Sequence, residues 1–182
     1  DRKDDYHGDD GPWKIRTTDV EDPIFDAFFG AVESAGYSRA ADYNGASQDG
    51  FARLQVNAVN GRRQSAAVAY LRPAMKRPNV EVQVRAHVTR VIFDGTRATG
   101  IEYVQDGKTR RVGAAKEVIL SGGAINSPQV LMLSGVGPAA HLKEMGIEVR
   151  QDLPGVGADL QDHPAIGLEY YYSKGSKFHR DL

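Results

Sequence analysis

The chain has 182 residues, 41% hydrophobic and 26% charged, enough for one good core or parts of two domains, and this sets aside wholesale disorder. A formal net charge of -1 gives no general electrostatic reason to bind nucleic acid or an anionic membrane. The absence of cysteine excludes disulfides, thiolate metal sites and cysteine nucleophiles, and no run approaches the roughly 20 apolar residues of a transmembrane helix.

Residues 1–19 are polar and turn-rich, with Trp13 and Ile15 as apolar anchors, and read as a loosely ordered strand or loop. The acidic stretch from Asp1 to Asp10 is the opposite of a signal peptide's basic start, so a targeting segment is either lacking or removed. A soluble chain without cysteine fits cytoplasm and periplasm alike. The first predicted helix runs from Pro23 to Ala35, capped by Asp22 and closed by Gly36, with Ile24, Phe25, Phe28, Phe29 and Val32 on one apolar stripe. Residues 37–61 hold no persistent period and read as loop, with a brief strand near Ala52 to Val56. Gln64 to Met75 is helical in pattern, fraying at Pro73 and Pro78.

Strand signals follow: the alternating Val80, Val82 and Val84, then His87 to Phe93, Thr99 to Val104 and Lys108 to Val112. Asp94-Gly95 and Asp106-Gly107 supply turns whose two central residues take positive φ, which predicts an antiparallel meander over about 88–113. Glu117 to Leu120 reads as a short core strand, and Ser121, Gly122 and Gly123 then let the backbone turn. A further helix is expected to start at Ser127 as N-cap with Pro128 at its first position, and to end at Gly135 and Gly137. Between Leu142 and Ile147, Gly146 marks a helix stop, followed by an extended piece from Ile147 to Val149; Ile166 to Tyr172 reads as a strand opening a new sheet.

A strand, a glycine turn and a helix N-terminus aim free amides and a positive dipole end at one point, the geometry that receives an anionic group. On residue types, Gly123 to Gly137 resembles the second signature of the GMC (glucose-methanol-choline) oxidoreductases, FAD-dependent alcohol dehydrogenases and oxidases. Three more stretches resemble that family in the same order: Tyr6-His7-Gly8 with Gly11-Pro12; Gly61 to Ser65 leading to Tyr70-Leu71; and Leu153 to Gly157 with Leu160 to Pro164. The choline-dehydrogenase-like subgroup is the nearest in flavour. The resemblance runs from Tyr6 to Pro164 but corresponds to the middle third of a typical member, so the chain reads as a central fragment.

The resemblance implies an α/β fold, with α+β character in this portion: part of an FAD/NAD(P)-binding-type domain with an antiparallel meander, plus pieces of a substrate-binding domain. Residues 1–62 then belong to the substrate domain and connecting loops, 63–165 to the FAD-binding domain, and 166–182 to the start of a substrate-domain strand. By the same resemblance the cofactor is FAD, and Val88 meets the adenine edge through its backbone; plain strand core is the other reading of Val88. Ser121, Gly122 and Gly123 lie where open α/β sheets place ligands, although a tight turn alone would also use them. Ser127 is read as a helix cap first and a cofactor contact second.

The Gly-x-Gly-x-x-Gly motif that cradles the pyrophosphate is missing, so the chain alone is not expected to hold FAD tightly. Asp162 and His163 are adjacent, so in an extended chain they point to opposite faces, and the dipeptide is read as structural. His7, His87, His141 and His179 show no metal-ligand spacing, and the two Arg pairs at 62–63 and 110–111 read as solvated faces. The family's proton-accepting histidine lies in a C-terminal segment, so no residue here is assigned a catalytic role and no metal is expected. The leading function is the central part of an FAD-dependent alcohol dehydrogenase or oxidase, passing hydride from a small alcohol to flavin N5. Its partners are the remaining N- and C-terminal portions of the enzyme. Two alternatives stand: a hydroxynitrile-lyase-like enzyme on the same scaffold, and a non-catalytic interaction fragment whose Phe25, Phe28 and Phe29 face meets a partner chain.

Overall fold

The computed structural model describes residues 3–18 and 20–169. The chain divides into two compact units, one over residues 3–82 together with 168 and 169, the other over 83–167.

In the first unit, helix α1 spans Pro23–Ser34. The Asp22 carboxylate accepts from the Ile24 amide, Pro23 sits where a missing donor costs nothing, and Gly36 closes the helix with φ +83°. The predicted stripe is buried only in part. Phe29 and Val32 are core, Phe25 lies beneath the Arg53 guanidinium at 4.7 Å, and Phe28 stays 45% exposed. Phe28 packs edge-on against Phe29 and Phe51, and Phe51 against Tyr37, so the expected Phe25–Phe28–Phe29 face is instead an aromatic cluster shared with the following loop. Two small antiparallel pairs complete the frame: β1 (Arg16–Thr17) with β2 (Gln55–Val56), and β3 (Ala58–Val59) with β4 (Arg62–Arg63). Asn60 and Gly61, both at positive φ, turn the second pair.

The helical stretch expected from Gln64 is wider than an α-helix. Ala67–Leu71 forms a π-turn, in which the Arg72 amide reaches back five residues to the Ala67 carbonyl, before α2 (Arg72–Ala74). Pro73 explains it: in a tight helix its ring would press on the Ala69 carbonyl, and a widened turn relieves the clash. Gln64 ties this region to the N-terminal segment, its side-chain amide accepting from Lys14 N and donating to Pro12 O.

The second unit is built on the predicted meander: β5 (His87–Asp94), β6 (Arg97–Gln105) and β7 (Lys108–Gly113), in sheet order β5-β6-β7 and antiparallel throughout. Asp106 and Gly107 both take positive φ, as a type I′ turn requires. The first turn differs from expectation. Asp94 ends β5, paired with Arg97, and of the two loop residues only Gly95 has positive φ, which is the pattern of a type II′ turn. The Val80–Val84 alternation forms no strand; Val84 is 62% exposed and Arg85 breaks the run at φ +54°. Alternation makes a strand only where a neighbour completes the ladder, and none does so among the described residues. Glu117 to Leu120 is corrected likewise: it joins no strand, and Ile119 is 75% exposed.

Helix α3 (Gly123–Leu133) begins four residues before Ser127, so Ser127 is not the N-cap and Pro128 lies inside the helix. Ser127 Oγ instead reaches back to accept from Gly122 N at 3.0 Å, fastening the first turn from within. Pro128 withdraws the donor that the Ala124 carbonyl would receive in a regular helix, and that side-chain bond holds the turn instead. At the other end Ser134 caps α3 and accepts from Val91 N at 2.8 Å, which satisfies an amide of β5 and joins helix to sheet. Gly135, at φ +85°, ends the helix as expected, while Gly137 belongs to β8 (Val136–Gly137), which pairs in parallel with β9 (Gln151–Asp152). The extended piece therefore pairs two residues beyond its expected place. Between them α4 (Ala139–Glu144) closes with Ile147 N on Leu142 O and Gly146 N on Lys143 O, the two bonds of a Schellman stop, and Leu142 is fully buried. Residues 166–169 are not in a strand, and the rest of the expected tail strand, 170–172, lies outside the described residues.

Candidate cofactor-binding site

The second unit carries a cavity of about 730 Å³, framed by the meander, the 114–122 crossover and the outer face of α3. Strand β5 contributes Val88, partly buried and paired with Tyr103. Just beyond it the register slips between Val88 and Arg90, so Thr89 is the extra residue of a bulge, and its hydroxyl donates to the Glu102 carbonyl. Bulges beside sites re-aim the strand without breaking the sheet. The crossover contributes Ser121 and Gly122, and α3 contributes Ser127. Of the five residues singled out in the sequence, four therefore line one cavity. Gly123 lies outside the lining, and its part is conformational: φ +83° at a helix start is open to glycine and strained for other residues.

Glycine elsewhere keeps the walls close. A Cβ on Gly122 would stand 3.0 Å from Asn126 Cβ and 3.2 Å from Ser127 N, so the crossover can meet α3 this tightly only without a side chain. A Cβ on Gly100 would collide with the Val112 carbonyl, which fixes the closeness of β6 and β7 at the cavity floor. The sequence reading missed Gly100, Ile101, Val112 and Asn126 as lining residues. Gly100 carried a usable signal, since a lone glycine within a strand pattern marks close backbone approach. Asn126 carried none, because its role depends on the helix starting before Ser127.

His87 and Glu117 are the ionisable side chains of the lining; the rest is small, apolar or uncharged, with 117–122 lying outside any strand. Such a wall grips a ligand through backbone groups and apolar contact, as ligand sites of this size commonly do. On the sheet's flank Glu102 accepts from Arg90 at 3.0 Å on each carboxylate oxygen and from Arg111 Nε at 3.0 Å. The hydrogen bonds from Arg90 and then Arg111 hold the Glu102 carboxyl below the usual range, and the Arg90 guanidinium is raised by the same partner. This triad pins all three strands in register. Asp162 and His163 are brought no closer to catalysis: the Asp162 carboxylate accepts the His163 backbone amide at 2.8 Å, a local turn contact. Among the described residues no cluster of three His, Cys, Asp or Glu side chains could hold a metal, and no helix is long and apolar enough to cross a membrane.

With the bent crossover, the capped helix and the meander in place, the comparison with known proteins is direct. The family model for GMC oxidoreductases matches residues 10–165, and the chain belongs to that family. Its relatives include the oxygen-dependent choline dehydrogenase of Sinorhizobium medicae, 48% identical over 171 residues, which cover 94% of this chain and 30% of the relative. The mitochondrial choline dehydrogenase of Homo sapiens is 49% identical over 164 residues, covering 90% of this chain and 28% of the human protein. The chain thus spans less than a third of the length of these relatives. Among solved structures, pyridoxine 4-oxidase from Mesorbium loti superposes with a TM-score of 0.75 at 32% identity, covering 81% of this chain and 29% of that one. An FAD-dependent oxidoreductase from Chaetomium thermophilum gives 0.75 at 29% identity, covering 81% and 26%. The mixed helix and strand architecture expected from the sequence is that of these flavoenzymes.

Proposed function

We propose that this chain is the central portion of an FAD-dependent alcohol dehydrogenase or oxidase, supplying contacts to the adenine side of the cofactor. The observation that carries the reading is the gathering of Val88, Ser121, Gly122 and Ser127 around one cavity in a chain of this family. The fit to FAD is physical. The cavity suits one end of a dinucleotide in volume, its walls are glycine-tight, and the 117–122 segment, outside any strand, lines it. In this reading Val88 presents backbone amide and carbonyl to the adenine, while Ser121, Gly122 and Gly123 let the main chain approach the cofactor. Ser127 orders that approach by holding Gly122 N.

When bound, FAD supplies a hydride acceptor at flavin N5, matched to an alcohol carbon as donor. The residues here bind and orient; the group that takes the alcohol's proton, and the dinucleotide glycine motif, belong to the remaining N- and C-terminal portions. The domain reading goes with this proposal: substrate-domain pieces over 1–62 and 166–182, FAD-binding domain over 63–165. The test is expression of the full-length protein followed by spectroscopy. Bound-flavin absorbance that bleaches anaerobically on adding a primary alcohol is the expected result, and a protein purified without flavin would overturn the proposal. Flavin that stays oxidised with every alcohol, while cyanide is released from a cyanohydrin, would replace oxidation by lyase chemistry. Gly122→Val, which puts bulk where the crossover meets α3, should lower flavin occupancy at least tenfold in the same preparation.

A further inference from the structure

In the first unit the dipeptide Asn-Gly occurs twice, as Asn44-Gly45 in the loop that follows α1 and as Asn60-Gly61 at the tip of the β3–β4 hairpin. The pair has a chemistry of its own. Glycine places no side chain beside its amide nitrogen, so that nitrogen can attack the carboxamide carbon of the preceding asparagine. The glycine N–Cγ bond forms, the Cγ–Nδ2 bond breaks, and the side-chain NH2 leaves as ammonia with the proton from the glycine nitrogen. Water then opens the succinimide to aspartate or isoaspartate, and no oxidant or cofactor is needed. The dipeptide alone ranks the two sites alike, whereas their surroundings separate them.

At Asn44 both reacting groups are engaged. Nδ2 of Asn44 donates to Gln55 Oε1 at 2.7 Å, and the nucleophile, Gly45 N, donates to the Asp42 carbonyl at 3.2 Å. The backbone N of Asn44 is fixed as well, on Asp42 Oδ1 at 2.9 Å. The hairpin tip has none of these restraints. Neither the Asn60 side chain nor Gly61 N makes a hydrogen bond among the described residues, both residues are exposed, and a Cβ on Gly61 would meet nothing within 4 Å. Ring closure needs the turn to open briefly, since Asn60 and Gly61 sit at φ +51° and +70°. The ladder resisting it is only Ala58 with Arg63 and Val59 with Arg62, and so short a hairpin opens at low cost.

We propose that Asn60 is a spontaneous deamidation site of this protein, selected over Asn44 by the unbonded carboxamide and unbonded glycine amide at the hairpin tip. Either product puts a carboxylate at the tip of a strand pair that carries Arg62 and Arg63. Isoaspartate also routes the main chain through the former side chain, and a turn lengthened by that methylene cannot keep the Val59–Arg62 register. The effect reaches further through Gln64. Its backbone N donates to Asn57 O at 2.7 Å at the base of the hairpin, and its side chain holds Lys14 N at 2.7 Å and Pro12 O at 2.9 Å. Conversion at Asn60 therefore loosens the anchorage of the N-terminal segment.

The test is peptide mapping by mass spectrometry on the full-length protein, aged at mildly alkaline pH and physiological temperature. The Asn60 peptide should exchange NH2 for OH and split into aspartate and isoaspartate forms about tenfold faster than the Asn44 peptide, since only Asn44 must first give up hydrogen bonds. In denaturant the two rates should converge. Hydrogen exchange over residues 12–17 should be faster in aged than in fresh protein, and Asn60→Gln, whose closure would need a larger ring, should abolish that difference. Equal rates in the folded protein, a faster Asn44, a preference for Asn60 that survives denaturant, or ageing that leaves residues 12–17 unchanged would each overturn the proposal.

Discussion

Single side chains set the ends of elements and the gaps between them. Asp22 is buried, and one of its carboxylate oxygens caps α1 while the other has no hydrogen-bond partner. Removing the cap costs about 1 kcal/mol, so Asp22→Ala should speed amide exchange across α1 by about fivefold, whereas Asp22→Asn retains the accepting oxygen and should leave it nearly unchanged. At Gly100 the constraint is space rather than bonding. A methyl there meets the Val112 carbonyl in a rigid ladder, and overpacking of this kind costs about 1–3 kcal/mol. Gly100→Ala should therefore lower the urea midpoint of the full-length protein and loosen its flavin together, read by unfolding and by cofactor retention on gel filtration. Leu142→Ala empties a fully buried site and should cost about 2–5 kcal/mol, with no effect on cofactor retention beyond that loss of stability.

At the scale of elements, charge and register act together in the meander. Arg90, Glu102 and Arg111 lie on three adjacent strands at paired positions, so one carboxylate ties all three. Because the Glu102 carboxyl is held below its ordinary range, this tie is complete above that range and is lost as pH falls through the lowered value. Protection of the β5 to β7 amides, corrected for intrinsic exchange, should fall on acidification, and more gently in high salt, where exposed pairs are screened. Glu102→Gln should be looser at neutral pH and lose that acid step. How much of the fold was legible follows the same division between local and distant causes. The α1 cap, the Asp106-Gly107 turn, the Gly146 stop and the meander itself rest on contacts within a few residues, and they appear where the sequence placed them. The strands expected at Val80 to Val84 and Glu117 to Leu120 depend on neighbours far along the chain, and pattern alone does not supply them. The start of α3 was misplaced for a third reason: Ser127 and Pro128 carry strong start signals, yet Ser127 bonds backward to Gly122 and the helix begins earlier. Four of the five candidate site residues share the cavity wall because glycine, serine and strand ends concentrate where a backbone bends, and that concentration is visible in sequence; the wall's far side, drawn from β6 and β7, is not.

Over the whole molecule, the distribution of apolar surface is the telling property. Ile119, Ile125, Leu160, Ile166 and Leu168 all stand largely exposed, well beyond the scatter of single apolar residues on an ordinary surface. The 182-residue chain prepared by itself should self-associate and bind an apolar dye, measured by light scattering and fluorescence, and co-expression with the N- and C-terminal portions proposed above should suppress both. Ile119→Ser should reduce the dye signal of the isolated chain if this surface is its source. The tolerance of the chain to changes in length is equally uneven. The wide turn at Ala67–Leu71 stores one residue more than a regular helix would need, so a single deletion there can be absorbed by rewinding, with the flanks left in place. The same deletion in β6 would send every following side chain to the opposite face of its sheet. Among homologous enzymes, alignment gaps of one residue should accordingly collect ahead of Pro73 and be missing between Arg97 and Gln105.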